Sequence, residues 1–573
     1  ANPPYITPKQ ENVGIASLRQ DTFYESWLSG DINTYILFIR VGLHFLSPGG
    51  RLAYIVPLTG LGDQQSEALR RKLLNLTKPL AITRFYTEHV LFKGVNQAVI
   101  VLVLEKDATE ARDSLEIQIR GGGYGQKPDE AIQDTRVRPT LVIPFRELSW
   151  WISKGSKPRR GLKEPNQRES WENVWVVLPE NRDYYRLWEH MVSTSSKTLY
   201  KLFEELGLRP PENFISQGDV NTTHVKPFHV SADYKDAMPL YKGETIDLLM
   251  PLPYPPKRGP RGRDPFVAPL DQHDRLSSDQ QRTLAELQRI AQLREAEHGF
   301  VLHETANIYI KRRLKGTIFK RDEKSKAVFT HKLWVFRTTS PKLAKALLGL
   351  LVSTPLNFAY SALSTNNSIA TRILFSLPVP DDFDIVASAL QQHVEDAIEA
   401  GKRLQSLLKD YNGLLSIEAS YTKGKVELDP ITFLQREQLT DVKMEHYRQR
   451  GYIKFAAENF KLQTLLERGE LKIEENPKHL QDVAQLWIER YGDHKWDEFK
   501  EFCVPDDPDA FWKQWTEKCK EAQNYLQDYF KAIATIDETV ADWYKIPKRL
   551  RPLLQEKLPW THGADQEEEE EEF

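Results

Sequence analysis

Residues 30–106 switch repeatedly between the helical and the strand pattern of apolar positions. The Pro-Gly-Gly sequence at 48–50 ends a helix predicted over 33–46. Short apolar runs at 51–57, 81–86 and 98–104 predict strands, and 64–76 predicts a second helix. This order predicts an open, largely parallel α/β sheet with ligand sites at the carboxyl ends of its strands. The first helix rests on apolar residues at helical spacing: Tyr35, Phe38, Ile39, Leu43 and Leu46.

Beyond residue 106 the pattern is mixed at first and then mainly helical. Residues 121–125, rich in glycine, predict a flexible loop rather than a phosphate cradle. Trp150 and Trp151 are expected in a core, with a nucleic-acid surface as the alternative because basic residues follow them. Residues 251–269 predict an extended basic linker or loop. Helices are predicted over 276–298, 341–363, 383–409, 443–477, 479–491 and 508–544, with strand and turn at 369–380; the aromatic stripe of the last helix predicts packing between helices.

The densest positive charge lies between residues 306 and 337, which hold ten Lys and Arg residues. Two β-pattern runs cross this section, and Tyr309, Phe319, Phe329 and Trp334 are interleaved with the charges. A basic β-ribbon of this kind suits contact with double-stranded DNA, and a solvated strand face is the alternative. The residues predicted to contact DNA are Lys311, Arg312, Arg313, Lys315 and Lys320.

Composition narrows the class of protein. The chain has 573 residues, of which 40% are hydrophobic and 28% charged, as in an ordinary globular protein of three or four domains. Cys503 and Cys519 are too few for a disulfide framework or a zinc site, which predicts reduced thiols and a cytoplasmic location. No apolar run approaches the ~20 residues of a membrane span, so no membrane partner is expected. The glutamates at 567–572 predict a disordered acidic tail.

The clearest chemistry lies in Asn2, Pro3, Pro4 and Tyr5. An exocyclic amine such as adenine N6 is a weak nucleophile, because its lone pair is delocalised into the ring. The Asn2 side-chain oxygen and the Pro3 carbonyl would accept its two hydrogens and free the lone pair for attack on a methyl donor, while Tyr5 stacks on the flipped base. Consecutive prolines keep such a loop stiff. The alternative is a proline-rich turn without a ligand.

The ordered features between residues 2 and 106 resemble the N6-adenine DNA methyltransferases of the gamma arrangement, which include restriction–modification enzymes and phage-defence methylases. The resemblance implies that Asn2, Pro3 and Tyr5 hold a flipped adenine and that Phe92 packs on its far face. Asn33 stands where the family often has Asp and is given no role. The matching stretches are 2–5, 33–38, 46–57 and 92–106, while 347–358 with 377–380 is similar to the family's target-recognition core and 536–546 to a helix near its C-terminus.

The resemblance also implies S-adenosylmethionine as methyl donor. In the gamma order the donor site, a glycine-rich turn and a following acidic residue, lies upstream of the Asn-Pro-Pro-Tyr motif, and residues 121–125 lack its surroundings. The donor is therefore expected to bind mostly outside this chain, on an N-terminal methyltransferase segment or a partner subunit that also covers the exposed sheet. The first residue is Ala1 and the first methionine is Met191, which predicts a fragment, a processed product or part of a split protein.

The predicted fold class is α/β, with a partial Rossmann-like methyltransferase sheet, an α+β target-recognition domain and a helical C-terminal region. The predicted domains are 1–110, the C-terminal half of the catalytic domain; 111–190, a connecting region; 191–385, target recognition; 386–560, helical; and 561–573, the tail. The predicted function is adenine-N6 DNA methylation in a restriction–modification or phage-defence system, with defence-complex proteins as further partners. A DNA-recognition subunit without activity, and an RNA or protein methyltransferase, are the alternatives.

Overall fold

The computed structural model describes most of the chain as two compact units, residues 1–395 with 532–556 and residues 396–531 with 557–573. Phe92, Lys311, Arg312 and Arg313, the helices predicted over 443–477 and 479–491, and the acidic tail lie outside the described residues. The described ranges are 1–5, 13–28, 33–85, 98–106, 116–121, 141–166, 168–178, 181–254, 256, 265–270, 276–304, 314–365, 369–410 and 508–554.

A five-stranded sheet forms the N-terminal part of the first unit, in the order β1-β3-β2-β4-β5. Only β2 and β4 pair in parallel, whereas β1/β3, β2/β3 and β4/β5 are antiparallel. The expectation of a largely parallel sheet is therefore wrong for these strands. A run of apolar residues indicates that a strand is buried on both faces, but it does not indicate whether the strand runs parallel or antiparallel to its neighbours. Strand β3 lies between β1 and β2 and runs antiparallel to both. The strands are Arg51–Pro57 (β1), Thr77–Phe85 (β2), Val99–Lys106 (β3), Glu116–Gly121 (β4) and Leu141–Pro144 (β5).

Three helices accompany this sheet, Val13–Gln20 (α1), Thr34–Phe45 (α2) and Glu67–Leu76 (α3). The spacing of apolar residues correctly predicts α2, whose buried face packs against β1. Helix α3 begins at residue 67 rather than 64 and packs against β2. The strands predicted at 51–57, 81–86 and 98–104 are confirmed, with the second beginning earlier, at Thr77.

A three-stranded sheet of order β7-β6-β8 follows the short helix Phe145–Leu148 (α4). Trp150 and Trp151 lie in its central strand and are each 3% exposed, so the core interpretation is confirmed. Trp150 also packs edge-on against Trp188 at 5.3 Å between ring centroids. The strands are Ser149–Ile152 (β6), Arg159–Arg160 (β7) and Glu172–Trp175 (β8), and two helices follow at Arg182–Thr194 (α5) and Leu199–Glu205 (α6).

Two four-stranded sheets, of order β10-β17-β14-β15 and β11-β13-β12-β16, make up the middle of the first unit. Helix α7, which was predicted longer, packs on the second sheet through Leu287 and Ile290. Part of the predicted 251–269 linker is strand β13, because pairing with two distant strands holds Phe266 and Val267. The elements are Ile215–Gln217 (β10), His229–Val230 (β11), Met238–Tyr241 (β12), Phe266–Val267 (β13), Ser278–Ala291 (α7), Glu297–Glu304 (β14), Leu314–Arg321 (β15), Val328–Phe329 (β16) and Trp334–Thr338 (β17).

The apolar stretch at 341–363 forms two buried helices, Pro341–Val352 (α8) and Thr354–Leu363 (α9), separated at Ser353. Among the described residues no single helix is long and apolar enough to cross a membrane; α8 and α9 pass that test only as a pair bent by 59°. The segment predicted as strand and turn contains a short helix, Thr371–Phe375 (α10), and then strand Pro378–Val379 (β18), which pairs with Lys197–Thr198 (β9).

Two long helices complete the described chain, Asp384–Asp410 (α11) and Pro508–Trp543 (α12), and both were predicted. In the first unit, the end of α12 is fixed by the Trp543 indole donating to the Asp381 carbonyl at 2.7 Å and by the Tyr544 hydroxyl donating to the Pro378 carbonyl at 2.6 Å. In the second unit Tyr529 is fully buried. Trp543 and Tyr544 thus pack against Asp381 and strand β18, whereas the sequence predicted packing between helices.

Candidate active site

The Asn-Pro-Pro-Tyr loop lies beside the outer edge of β1. The Ala1 nitrogen donates to the Ala53 carbonyl at 2.7 Å, and the Ile55 amide donates to the Ala1 carbonyl at 2.9 Å. A residue that donates to one residue of a strand and accepts from the residue two positions further along pairs in parallel with that strand. The chain after Ala1 therefore runs in the direction of β1, toward its carboxyl end.

The Tyr5 hydroxyl ties this loop together. It lies 2.7 Å from Asn2 Oδ1 and 2.8 Å from the Ile55 carbonyl oxygen, and its single hydrogen is shared between these two acceptors. Burial raises the pKa of Tyr5 to about 12, so the hydroxyl keeps its proton at neutral pH. Asn2 is exposed and Tyr5 is half-buried, which leaves the amide accessible to a ligand from solvent.

The two prolines differ in their surroundings. Pro3 is buried and Pro4 is exposed. The Thr34 hydroxyl donates to the Pro4 carbonyl at 2.6 Å, whereas no described residue donates to the Pro3 carbonyl. The loop thus offers two acceptors of the kind an exocyclic amine requires, the Pro3 carbonyl and the Asn2 side-chain oxygen.

The first turn of helix α2 contacts the Asn-Pro-Pro-Tyr loop. Asn33 is the N-cap, and its side chain accepts from the Tyr35 amide at 3.4 Å, so this residue has a structural role. Thr34 is the first helical residue and reaches the Pro4 carbonyl from that position. No residue pattern predicted the contacts of Thr34 and of the Ile55 carbonyl, because both depend on how distant segments meet.

A buried polar network fixes the segment that follows β1. The Arg70 side chain is 1% exposed and donates to the carbonyls of Asp63 and Asn173, each at 2.6 Å. Glu172 lies 3.5 Å from Arg70 and also forms an ion pair with Arg372. The network joins α3 and the segment after β1 to β8 and to α10, and nothing in the residue spacing predicted it.

The described part of the basic section, residues 314–337, is more neutral than its composition indicates. Arg321 is fully buried and paired with Asp219, and Lys320 pairs with Asp322 at 2.7 Å. Phe319 and Phe329 are 2% and 0% exposed, so the expectation that they contact DNA is wrong: both rings fill the core between the two four-stranded sheets.

Near one end of β15 lie two lysines that no described carboxylate neutralises, Lys315 and Lys332. Lys315 pairs with His303 across the β14–β15 ladder. Burial, together with the positive charges of Lys315 and Lys332, lowers the pKa of His303 to about 4. Among the described residues neither Lys315 nor Lys332 has an ion-pair partner. Of the predicted DNA contacts that are described, Lys315 is therefore the stronger candidate and Lys320 the weaker. Both lie on β15, in a different sheet from Asn2.

The described residues include no group of three or more His, Cys, Asp or Glu side chains placed to hold a metal ion. Arg120 and Gly121 lie in strand β4 and not in a turn between strand and helix. A nucleotide-like methyl donor needs such a glycine turn for its backbone to approach, so these two residues do not fit a donor site. No residue of this chain is assigned to S-adenosylmethionine.

Sequence comparison identifies the N-terminal stretch. Residues 1–92 match the Eco57I restriction-modification methylase family. The match includes the Asn-Pro-Pro-Tyr motif, the elements α2 and β1 that contact it, and also α3 and β2. No curated protein matches the sequence.

Three solved structures of restriction-modification enzymes are similar to this chain at low identity. They are the Type IIL enzyme MmeI in complex with DNA (11% identity, 91% of this chain and 57% of that chain, TM-score 0.38), the Type IIG endonuclease BpuSI (12%, 69% and 48%, 0.24) and a nuclease-deletion mutant of the Type ISP enzyme LlaGI in complex with a DNA substrate mimic (11%, 96% and 52%, 0.34). The chain spans about half the length of each. These TM-scores, all below 0.4, assign neither fold nor function.

Proposed function

We propose that this chain holds the target base in an N6-adenine DNA methylation reaction of a restriction–modification or phage-defence system. The observation that carries the proposal is a loop beside β1 that holds the exposed Asn2 side chain and the Pro3 carbonyl, to which no described residue donates. The Eco57I methylase match over residues 1–92 supports the same reaction class.

The chemistry assigned to these residues is positioning and charge stabilisation. Asn2 and Pro3 accept the two N6 hydrogens, which draws the amine toward tetrahedral geometry and makes its lone pair available. Positive charge develops on N6 as the new bond forms, and the two acceptors of the loop stabilise that charge. Tyr5 stacks on the flipped purine. S-adenosylmethionine supplies the methyl group when it is bound, mostly by residues outside this chain.

Double-stranded DNA is the proposed substrate, and the recognition region at 191–385 is its proposed reader. The support comes from Lys315 and Lys332, whose charges no described carboxylate neutralises and which, after burial itself, lower the pKa of His303. A surface of this kind attracts phosphate groups and releases counterions when they bind. The cytoplasmic location and the defence-complex partners stay predictions of the sequence.

The experiment that tests the proposal compares wild type with Asn2→Ala and Asn2→Asp in cells carrying the whole locus. N6-methyladenine in their DNA is mapped by sequencing that detects the modified base. The alanine variant loses the acceptor, so methylation is expected to disappear while DNA affinity stays within about twofold. Methylation that persists unchanged in Asn2→Ala would contradict the proposal.

A further inference from the structure

The orientation of the Asn2 amide decides whether the proposed site attracts or repels an amine. One end of the amide is an acceptor and the other a double donor, and the two ends have nearly the same shape. If Nδ2 replaced Oδ1, two donors would face the two hydrogens of adenine N6. The exposed Asn2 side chain has one hydrogen-bond partner among the described residues, and that partner is the Tyr5 hydroxyl at 2.7 Å.

The Tyr5 hydroxyl is itself held in place by the main chain. Its oxygen lies 2.8 Å from the Ile55 carbonyl oxygen, a group that only accepts. Ile55 lies within β1 and faces Val101 of β3, so the carbonyl belongs to the rigid sheet. Because the hydroxyl keeps its proton at neutral pH, it has one hydrogen to donate, and the Ile55 carbonyl and Asn2 Oδ1 share it.

We propose that the Tyr5 hydroxyl is a positioning group that sets the orientation of the Asn2 amide. By donating to Oδ1 it holds the amide oxygen in the loop, and the second lone pair of the same oxygen accepts from the adenine amine. Tyr5 thus has a role beyond stacking: its ring contacts the base, and its hydroxyl determines which end of Asn2 the base meets. This inference rests on the proposed function.

A carboxylate provides the control that separates this role from general support of the loop. The two oxygens of Asp are equivalent, so no hydroxyl is needed to choose between them. The penalty for Tyr5→Phe should therefore depend on the residue at position 2. If the hydroxyl only supported the loop, Tyr5→Phe would lower the methylation rate by the same factor with Asn or with Asp at position 2.

The test is a double-mutant cycle of Tyr5→Phe and Asn2→Asp in the intact methylation system, measured as single-turnover methylation rate and DNA affinity. Tyr5→Phe alone is expected to lower the rate about tenfold, the effect of one hydrogen bond, with DNA affinity unchanged. In the Asn2→Asp background the same change should lower it less than about twofold. Tyr54→Phe is the matched control, because its hydroxyl is 3.5 Å from the Phe38 carbonyl, too far for a strong bond.

A second measurement decides the matter without methyl transfer. Duplexes carrying adenine or hypoxanthine at the mapped target position are compared by equilibrium binding. Hypoxanthine presents an oxygen at C6, which a flipped amide would favour, so Tyr5→Phe should reduce the preference for adenine several-fold. An unchanged preference, or equal rate penalties in both backgrounds, would overturn the positioning role. Methylation surviving in Asn2→Ala would instead refute the proposed function, so the two failures are distinguishable.

Discussion

Replacing Asp219 with asparagine tests the account of the basic section. Asp219 is fully buried and pairs with two guanidinium groups, the fully buried Arg321 and the partly exposed Arg337, the latter at 2.9 Å. It also accepts from the Phe329 amide at 2.8 Å. Glu297, at 3.2 Å from Arg321, is the second carboxylate of this cluster. The four side chains together carry no net charge.

The size of the effect follows from the burial. Asp219→Asn keeps the shape of the side chain and an acceptor for the Phe329 amide, but it leaves one positive charge in excess around Arg321. Breaking a buried pair in this way costs about 3–5 kcal/mol. Glu286→Gln removes the same charge from the more exposed pair with Arg289 on α7, at 2.7 Å, where the expected loss is about 0.5 kcal/mol or less.

The assay is urea unfolding followed by tryptophan fluorescence and circular dichroism. Asp219→Asn should lower the free energy of unfolding by several times more than Glu286→Gln. Adding Arg321→Met to Asp219→Asn removes the unpaired charge and should recover at least half of the loss. A loss below about 1 kcal/mol, or no recovery in the double variant, would refute the assignment of Arg321 to the interior instead of a DNA-binding face.

Two further predictions concern the end of β15. Because the pKa of His303 is lowered to about 4, the unfolded chain takes up a proton between pH 6.5 and 4 that the folded chain does not. The free energy of unfolding should therefore fall by up to ~3 kcal/mol as the pH is lowered through that window. His303→Gln should remove this part of the pH dependence of the free energy of unfolding. Lys315→Gln with Lys332→Gln should reduce the salt slope of DNA affinity by about two. Lys326→Gln is the control, since its ammonium donates to the Ala291 carbonyl at 2.6 Å, and an equal effect there would argue against a phosphate site at Lys315.

Local pattern was sufficient where neighbours along the chain decide the structure. The apolar spacing of 33–46 gave α2, and the run at 51–57 gave β1 to the residue. The tryptophan pair at 150 and 151 was correctly placed in a core, because two large apolar rings outweigh the adjacent charges. Such features need no knowledge of what the segment meets after folding.

Long-range pairing is what the pattern did not contain. The section around Arg321 was interpreted as a basic surface because its charges are visible in the sequence, whereas the carboxylate that neutralises Arg321 is 102 residues away. The direction of β3 was missed for the same reason. In the candidate site, the types of residue were predicted from the motif, but the Tyr5 contact to Ile55 spans 50 residues and appears only in the fold.

The central claim is that Asn2 accepts the amine of a flipped adenine, and the most direct measurement is the N6-methyladenine content of DNA from cells carrying the whole locus with Asn2→Ala. The account predicts that the modified base, present with the wild-type protein, falls to background with this variant while the protein is produced at the same level and still binds DNA. Undiminished N6-methyladenine would contradict it.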